Sequence, residues 1–201
     1  MKYSYTRPIL WFVIGCAVLS GCTTTRPPAA PAATPSPWDQ RLGVLQQAAE
    51  WQLDGRAAVA VGKQGWQASL NWSQSGASSE VHLAGPLGVG ALELRKTPAG
   101  LSLNGGPPGD AVLAQLQERL GFDLPLEELR FWLLGVPDPG EPFELTRNAE
   151  DRALALTQAG WTVDYDRYLH VDGDVLPVRV VMSRDDVHVK IAVDHWLGVT
   201  R

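Results

Sequence analysis

The stretch Leu53-Asp54-Gly55-Arg56-Ala57-Ala58-Val59-Ala60-Val61 alternates between residues that suit a buried face and residues that suit an exposed one. Apolar positions are interleaved with the others, as Leu53, Ala57, Val59 and Val61 alternate with Asp54, Arg56, Ala58 and Ala60. Successive side chains of a β-strand point to opposite faces of the sheet, so a period of two is typical of a strand with one buried face. The stretch therefore predicts a strand of a sheet that covers a core on one side.

The same period of two continues along the chain after this strand. Apolar pairs two residues apart occur at Leu70 and Trp72, Val81 and Leu83, Leu92 and Leu94, and Leu101 and Leu103. The breaks between these pairs are short and rich in glycine, which is typical of an antiparallel meander. Further strands are predicted in the C-terminal part, at residues 153–156, 161–165, 168–171, 176–182 and 187–193.

Helices are predicted before and between these groups of strands. Ser36-Pro37 is typical of an N-cap and first helical position, and the apolar face that follows is made by Trp38, Leu42, Leu45 and Ala49. Asp110 is predicted to cap a helix that ends at Gly121, with an apolar face of Val112, Leu113, Leu116 and Leu120. Pro125 is predicted to begin a third helix, which is ended by Gly135 and Pro137 and has an apolar face of Leu126, Leu129, Trp132 and Leu133. This order predicts an α+β fold, in which a strongly curved antiparallel sheet has helices against its concave face.

The N-terminus has the layout of a secretory signal. Lys2 and Arg7 precede an apolar run at residues 9–19, which is short for a membrane span. Leu19-Ser20-Gly21-Cys22 follows and resembles the lipobox of bacterial lipoproteins, whose cysteine receives a diacylglycerol and an N-acyl group. The resemblance predicts a signal peptide at residues 1–21 and a covalent N-acyl diacylglycerol on Cys22; the alternative is an ordinary signal with a chance cysteine.

The residues after Cys22 predict how the protein is held at its membrane. Residues 22–37 are rich in proline and alanine, so they form a semi-rigid tether that spans up to about 45 Å when extended. Thr23 stands where an aspartate retains enterobacterial lipoproteins in the inner membrane, so the resemblance implies an anchor in the outer membrane, facing the periplasm. Residues 38–201 are predicted to form one folded domain.

Charge and cysteine content exclude several kinds of partner. The chain has 17 basic and 22 acidic residues. Without Lys2 and Arg7 its formal charge is about −7, which argues against nucleic acid and against a polybasic patch for anionic lipid. Cys16 lies in the predicted signal and Cys22 is predicted to carry lipid, so the folded part has no thiol for a disulfide or a metal.

Gly85-Pro86-Leu87-Gly88-Val89-Gly90 separates two of the predicted strands. Pro86 suits position i+1 of a type I turn and Gly88 suits position i+3, so Leu87 falls at position i+2. A leucine at a turn tip either folds back onto the sheet or is exposed, and the spacing leaves both open. A phosphate-binding loop is a weaker interpretation, because no Lys-Ser or Lys-Thr follows and no helix is predicted to begin there.

Several of these motifs occur in the order found in the LolB family of outer-membrane lipoprotein receptors, which the chain resembles over most of its length after the signal. They are the lipobox, the Trp72 strand, the turn followed by Ala91-Leu92-Glu93-Leu94, the helix end Leu129-Arg130-Phe131-Trp132-Leu133-Leu134-Gly135, and Asp194-His195-Trp196. The resemblance implies an unclosed antiparallel β-barrel whose helices cover an apolar cavity. The proline-rich tether and Val89-Gly90 differ from the best-known members.

The resemblance also implies a function and its partners. A receptor of this family takes acylated lipoproteins from the periplasmic carrier LolA and inserts them into the inner leaflet of the outer membrane. Separately from the resemblance, the domain from Trp38 onward is predicted to be a monomer, because one hydrophobic core of ordinary size is enough to fold it. The leucine that the family needs for delivery matches Leu87, at the tip of the Pro86-Leu87-Gly88 turn. The residues predicted to line the acyl cavity are Leu70, Trp72, Leu83, Leu92, Leu94, Leu103, Trp132 and Leu133; the alternative is that they pack as an ordinary core.

Two other classes of function are compatible with fewer of these features. An enzyme is not predicted, because the four histidines, His82, His170, His188 and His195, are dispersed and no serine lies in a nucleophile elbow. No metal site and no cofactor other than the covalent lipid is predicted. The alternative to a receptor is an outer-membrane lipoprotein that acts as a structural or assembly scaffold without transferring lipid.

Overall fold

The computed structural model describes residues 36–200. These residues belong to one compact unit, Pro35–Arg201. The predicted signal at residues 1–21, the predicted lipidation site Cys22 and all but the end of the predicted tether lie outside the described residues, so these three remain predictions.

The described chain contains an antiparallel sheet of ten strands. The strands are β1 (Glu50–Val61), β2 (Gln64–Ser75), β3 (Ser78–Ala84), β4 (Leu92–Thr97), β5 (Gly100–Leu103), β6 (Phe143–Arg147), β7 (Ala153–Gln158), β8 (Trp161–Val171), β9 (Asp174–Arg184) and β10 (Val187–Thr200). Their order across the sheet is β5-β4-β3-β2-β1-β10-β9-β8-β7-β6, so every pair of neighbouring strands is consecutive in the chain except the β1–β10 pair.

The β1–β10 pair joins two meanders, β1 to β5 and β6 to β10, into one sheet. Glu50 pairs with Thr200 at one end and Val61 with Val187 at the other, so β1 lies between β2 and β10 over its whole length. The outermost strands of the described sheet are β5 and β6, which do not pair with each other. The predicted fold, a curved antiparallel sheet that does not close into a barrel, is confirmed.

A bulge at Gly55 adds to the curvature in the middle of the sheet. The register of β1 against β10 shifts between Asp54 and Gly55. A Cβ atom at position 55 would lie only 2.3 Å from the carbonyl oxygen of Ala192, so only glycine allows this close approach. Bulges bend a strand and increase its twist, which helps the sheet to wrap around its contents.

Helix α1 (Pro37–Gln46) begins as the sequence predicts. The Ser36 hydroxyl accepts a hydrogen bond from the Asp39 N–H, and the Asp39 carboxylate accepts one from the Ser36 N–H, which is a complete capping box. Trp38 and Leu45 are buried, but Ala49 is exposed and lies beyond the helix. The prediction for Ala49 is wrong because the helix ends at Gln46 and β1 begins at Glu50.

The helices α2 (Ala111–Leu120) and α3 (Leu126–Trp132) connect β5 to β6. In α2 the predicted end at Gly121 is confirmed, with φ of 82° at that residue. Asp110 occupies the N-cap position without making a side-chain capping bond, and Leu113 is 59% exposed, so both of these predictions are wrong. In α3 the predicted apolar face is buried as expected. None of the helices in residues 36–200 is long and apolar enough to cross a membrane.

The buried side chains of the sheet and the helices form one hydrophobic core. Within it Trp51 packs against two other tryptophans, with its ring centroid 5.7 Å from that of Trp72 and 5.6 Å from that of Trp196. Strand β6 was not predicted, since all but one of its residues are exposed. The two strands predicted at residues 161–165 and 168–171 are one strand, β8, whose register shifts on both sides of Arg167.

Candidate functional site

The candidate site is the turn between β3 and β4, which has Leu87 at its tip. The Gly88 N–H donates to the Gly85 carbonyl at 2.9 Å, and the Gly85 N–H donates to the Val89 carbonyl at 3.1 Å. A Cβ atom at Gly85 would lie 2.6 Å from that carbonyl oxygen, so glycine is needed to close the base of the turn. Hydrogen bonds at the base therefore fix a short, protruding loop.

Leu87 has a backbone conformation that leucine disfavours. Its φ is 58° and its ψ is 23°, whereas position i+2 of a type I turn has φ of about −90°. The predicted turn type is therefore wrong, although Leu87 does lie at the tip. A left-handed conformation costs an L-residue about 1–2 kcal/mol.

Other positive-φ residues show how unusual this leucine is. Among residues 36–200 the non-glycine residues with positive φ are Leu87, Asn104, Asp151, Ala159, Asp172 and Asp185. Asparagine and aspartate tolerate this region because their short polar side chains hydrogen-bond locally. Leu87 has no such compensation, and strained positions of this kind cluster at functional sites.

The side chains at the tip are apolar and in contact with solvent. Leu87 is fully exposed, at 103% of its reference area, and Val89 is 72% exposed. The sequence left open whether Leu87 folds back onto the sheet, and the structure shows that it does not. The turn thus presents an apolar tip to whatever the protein meets.

A cavity of about 710 Å³ lies beside the base of this turn. Its apolar lining includes Trp66, Leu83, Val89, Leu92 and Leu120. Asn104 and Arg119 add polar groups to the lining, and Gly85 and Pro86 connect it to the turn. A site of this size and character is typical of one that takes a small apolar ligand.

The structure divides the predicted cavity residues into two groups. Leu83 and Leu92 line the cavity beside the turn. The others are buried in the hydrophobic core, at most 8% exposed, and do not line this cavity: Leu70, Trp72, Leu94, Leu103, Trp132 and Leu133. The prediction that all eight meet acyl chains remains a prediction.

The large apolar residues Trp66, Val89 and Leu120 line the cavity but are not among the cavity residues predicted from the sequence. Trp66 has the same parity as Leu70 and Trp72 and lies on β2, so extending their alternation backwards would have found it. For Leu120 the helical period predicts the buried face of α2, which is correct, but it does not indicate a cavity. Nothing in the local sequence indicates that Val89 contacts the cavity.

Several titratable side chains lie on the two strands that the turn connects. Among residues 36–200, Glu80, His82 and Glu93 form a group close enough to share a cation. Arg95 donates to Glu80 at 3.1 Å and to Glu93 at 3.3 Å, so a guanidinium already neutralises the carboxylates. Farther from the turn, burial lowers the pKa of Lys96, which forms an ion pair with Glu127.

An unclosed, curved antiparallel sheet with helices on its buried face defines the LolA/LolB class of fold. The crystal structure of a LolA superfamily protein from Nitrosomonas europaea matches it with a TM-score of 0.51, over 81% of this chain and 92% of that one, at 10% sequence identity. That likeness shows the fold alone.

The chain belongs to the LolB family. The family model described as "Outer membrane lipoprotein LolB" matches residues 49–196. The outer-membrane lipoprotein LolB of Nitrosococcus oceani is 32% identical, with 98% of each chain covered. LolB of Ectopseudomonas mendocina is 31% identical, with 90% of this chain and 91% of the relative covered. The predicted family is confirmed, and the protein is an outer-membrane lipoprotein.

Proposed function

We propose that this protein receives acylated lipoproteins from a LolA-type periplasmic carrier and inserts them into the inner leaflet of the outer membrane. In this proposal the apolar cavity holds acyl chains and the turn at Leu87 performs the membrane step. The observation that carries the proposal is the fully exposed leucine in a strained backbone conformation beside that cavity.

The cavity supports the part of the proposal that concerns acyl chains. Transfer of each methylene group from water to apolar surroundings is favourable by about 0.8 kcal/mol. An acyl chain is therefore much more stable in an apolar cavity than in water. Trp66, Leu83 and Leu92 provide such surroundings next to the turn. A chain held there lies close to the side chains that we propose to enter the bilayer.

The tip supports the part that concerns the membrane. Leu87 and Val89 expose apolar surface that the bilayer favours, whereas an ionised carboxylate at the same place is strongly disfavoured in hydrocarbon. Since Leu87 makes no core contact, its replacement should leave the fold intact. Receiving a lipoprotein and delivering it should therefore be separable by mutation.

A two-step assay tests this with Leu87→Glu. The first step measures transfer of a labelled lipoprotein from the carrier to the protein, and the second measures transfer from the protein to liposomes. We expect the variant to accept the lipoprotein at the normal rate and to lose most of the delivery step. Its free energy of unfolding should fall by less than about 1 kcal/mol, as for other surface changes.

The matched control is Leu113→Glu, which places the same charge on an exposed leucine of α2. We expect this variant to deliver normally. Normal delivery by Leu87→Glu, or equal loss in both variants, would contradict the role of the turn. Failure of the native protein to bind any acyl probe would instead favour the scaffold alternative.

A further inference from the structure

Cations that are far apart in sequence lie together on the solvent-exposed face of the sheet. Arg56 pairs with Ala192, Ala192 with Arg179, and Arg179 with Arg167, so the three arginines form one row across β1, β10, β9 and β8. Lys190 is two residues from Ala192 on β10 and therefore faces the same side. We call these four cations the basic row.

The basic row lines a groove of about 520 Å³. Ala58 and Ala192 lie between the four long side chains and also line the groove, so small residues leave room between the cations. Leu169 adds an apolar side chain that is 52% exposed. The groove is thus suited to a small anionic group rather than to an apolar one.

Carboxylates neutralise part of this charge but not all of it. Asp194 contacts Arg56 at 2.8 Å and Asp166 contacts Arg179 at 3.3 Å, while Asp164 lies on the same face of β8. Exposed pairs of this kind are weak and easily exchanged for another anion. Arg167 and Lys190 form no ion pair with the residues that the structure describes.

The groove is continuous with the turn at Leu87. Arg56 and Gln67 line both the groove and a second one of about 280 Å³, and Gly85 and Pro86 line that second one. The basic row therefore lies on the surface that reaches the membrane-directed tip. The register of the sheet gives the same connection, because Arg56 pairs with Ser69 and Ser69 pairs with Ala84, the last residue of β3 before the turn.

We infer that the basic row binds the phosphate groups of anionic phospholipids in the membrane that Leu87 enters. The inference rests on the proposed function, and it goes further by naming a lipid class that favours delivery. A membrane is the occupant that the structure favours over an acidic protein, because the groove adjoins the tip and the protein is an outer-membrane lipoprotein. Juxtamembrane cations are attracted to anionic headgroups within about a Debye length, 8–10 Å.

The test uses the full-length lipidated protein, reconstituted into vesicles and supplied with a carrier loaded with labelled lipoprotein. Vesicles contain phosphatidylcholine alone or phosphatidylcholine mixed with phosphatidylglycerol. We expect the native protein to deliver roughly threefold to tenfold faster into the anionic vesicles at low salt, with the difference lost at high salt. The variant Arg167→Gln/Lys190→Gln should lose this enhancement and keep the native rate in neutral vesicles.

The matched control is Arg95→Gln, an arginine of β4 whose charge is already shared between Glu80 and Glu93. It should keep the enhancement, and all variants should unfold at the native urea midpoint. An enhancement that survives in the double variant overturns the inference. Equal slowing in both kinds of vesicle also overturns it, since that result indicates a protein-binding surface. Absence of delivery by the native protein in neutral vesicles would contradict the proposed function instead.

Discussion

Leu87 combines full exposure with a left-handed backbone, and each of these features alone is unfavourable for leucine. A turn selected only for stability would have glycine or asparagine at this position, because both adopt positive φ readily. The presence of a turn with Leu87 at its tip could be predicted from the sequence, but the backbone conformation of the turn could not. Pro86 and Gly88 are compatible with more than one turn, and the hydrogen bond from Gly85 to Val89 decides between them.

Because Leu87 is strained, we expect its replacement by asparagine to increase the stability of the protein and to reduce its delivery of lipoproteins. Replacing Leu87 by asparagine removes a left-handed leucine, so the free energy of unfolding should rise by up to about 1 kcal/mol. The same change removes the apolar tip, so delivery to liposomes should fall. Urea denaturation and the liposome assay measure the two effects on the same preparation.

Leu113→Asn is the comparison for this prediction. Leu113 is also exposed but lies within α2, where asparagine is a poorer helix former than leucine. This variant should be slightly less stable and should deliver normally. A Leu87→Asn protein that is less stable than the native one would show that the leucine makes packing contacts in solution.

Among the elements, α3 depends on one buried polar side chain. Gln158 of β7 is 2% exposed, and its Oε1 accepts from Trp132 Nε1 and from the Asp138 N–H, both at 2.9 Å. Its Nε2 donates to the carbonyl groups of Asp138 and Glu141, at 2.8 and 2.9 Å. The amide thus ties the end of α3 and the segment that leads to β6 onto the sheet.

Replacing Gln158 by leucine should destabilise the protein by about 3 kcal/mol. The change leaves Trp132 Nε1 buried without a hydrogen bond and removes the hydrogen-bond partner of the backbone groups of Asp138 and Glu141. An unsatisfied buried group costs about 1–3 kcal/mol, and the lost bonds at the less buried groups add to this. Thr157→Leu is the control, since Thr157 is the exposed neighbour and its change should alter stability by less than about 0.5 kcal/mol. A urea midpoint for Gln158→Leu close to the control's would contradict a structural role for the network.

The elements themselves were predicted unevenly, for physical reasons. Helix faces and strands with a buried side are visible in the sequence, as at Leu126 and Leu129 or Leu92 and Leu94, because burial imposes the period. Strand β6 lies at the edge of the sheet and is mostly exposed, so no period marks it. Asp110 looks like a cap, but its own φ and ψ are helical, and its side chain does not reach the first N–H groups.

At the scale of the whole molecule, the topology was not readable from periodicity. Each strand pattern reports one buried face but not which strand is the neighbour, and β1 pairs with a strand more than one hundred residues away. The family resemblance supplied the unclosed barrel. Net charge likewise does not report which cations become neighbours: the register of four strands brings Arg56, Arg167, Arg179 and Lys190 together in a chain with a net negative charge.

The stability of the whole domain at alkaline pH depends on two buried tyrosines. The sequence has four tyrosines, of which Tyr3 and Tyr5 lie in the predicted signal and Tyr165 and Tyr168 lie in the domain from residue 38 onward. Burial raises the pKa of Tyr165 well above its usual range, with a further contribution from Tyr168. Burial also raises the pKa of Tyr168, whose hydroxyl donates to the Ala153 carbonyl at 2.7 Å.

A folded-state pKa above the unfolded value of about 10 means that these phenols stabilise the fold fully below pH 10 and lose that contribution as the pH rises further. We expect the native domain to show no phenolate absorbance near pH 10. Both tyrosines should then ionise together with the loss of far-ultraviolet circular dichroism, as the domain unfolds at higher pH. Tyr168→Phe should halve the absorbance change and leave the two signals coincident. Phenolate that forms near pH 10 while the circular dichroism is unchanged would show that one of these hydroxyl groups reaches solvent in the folded protein.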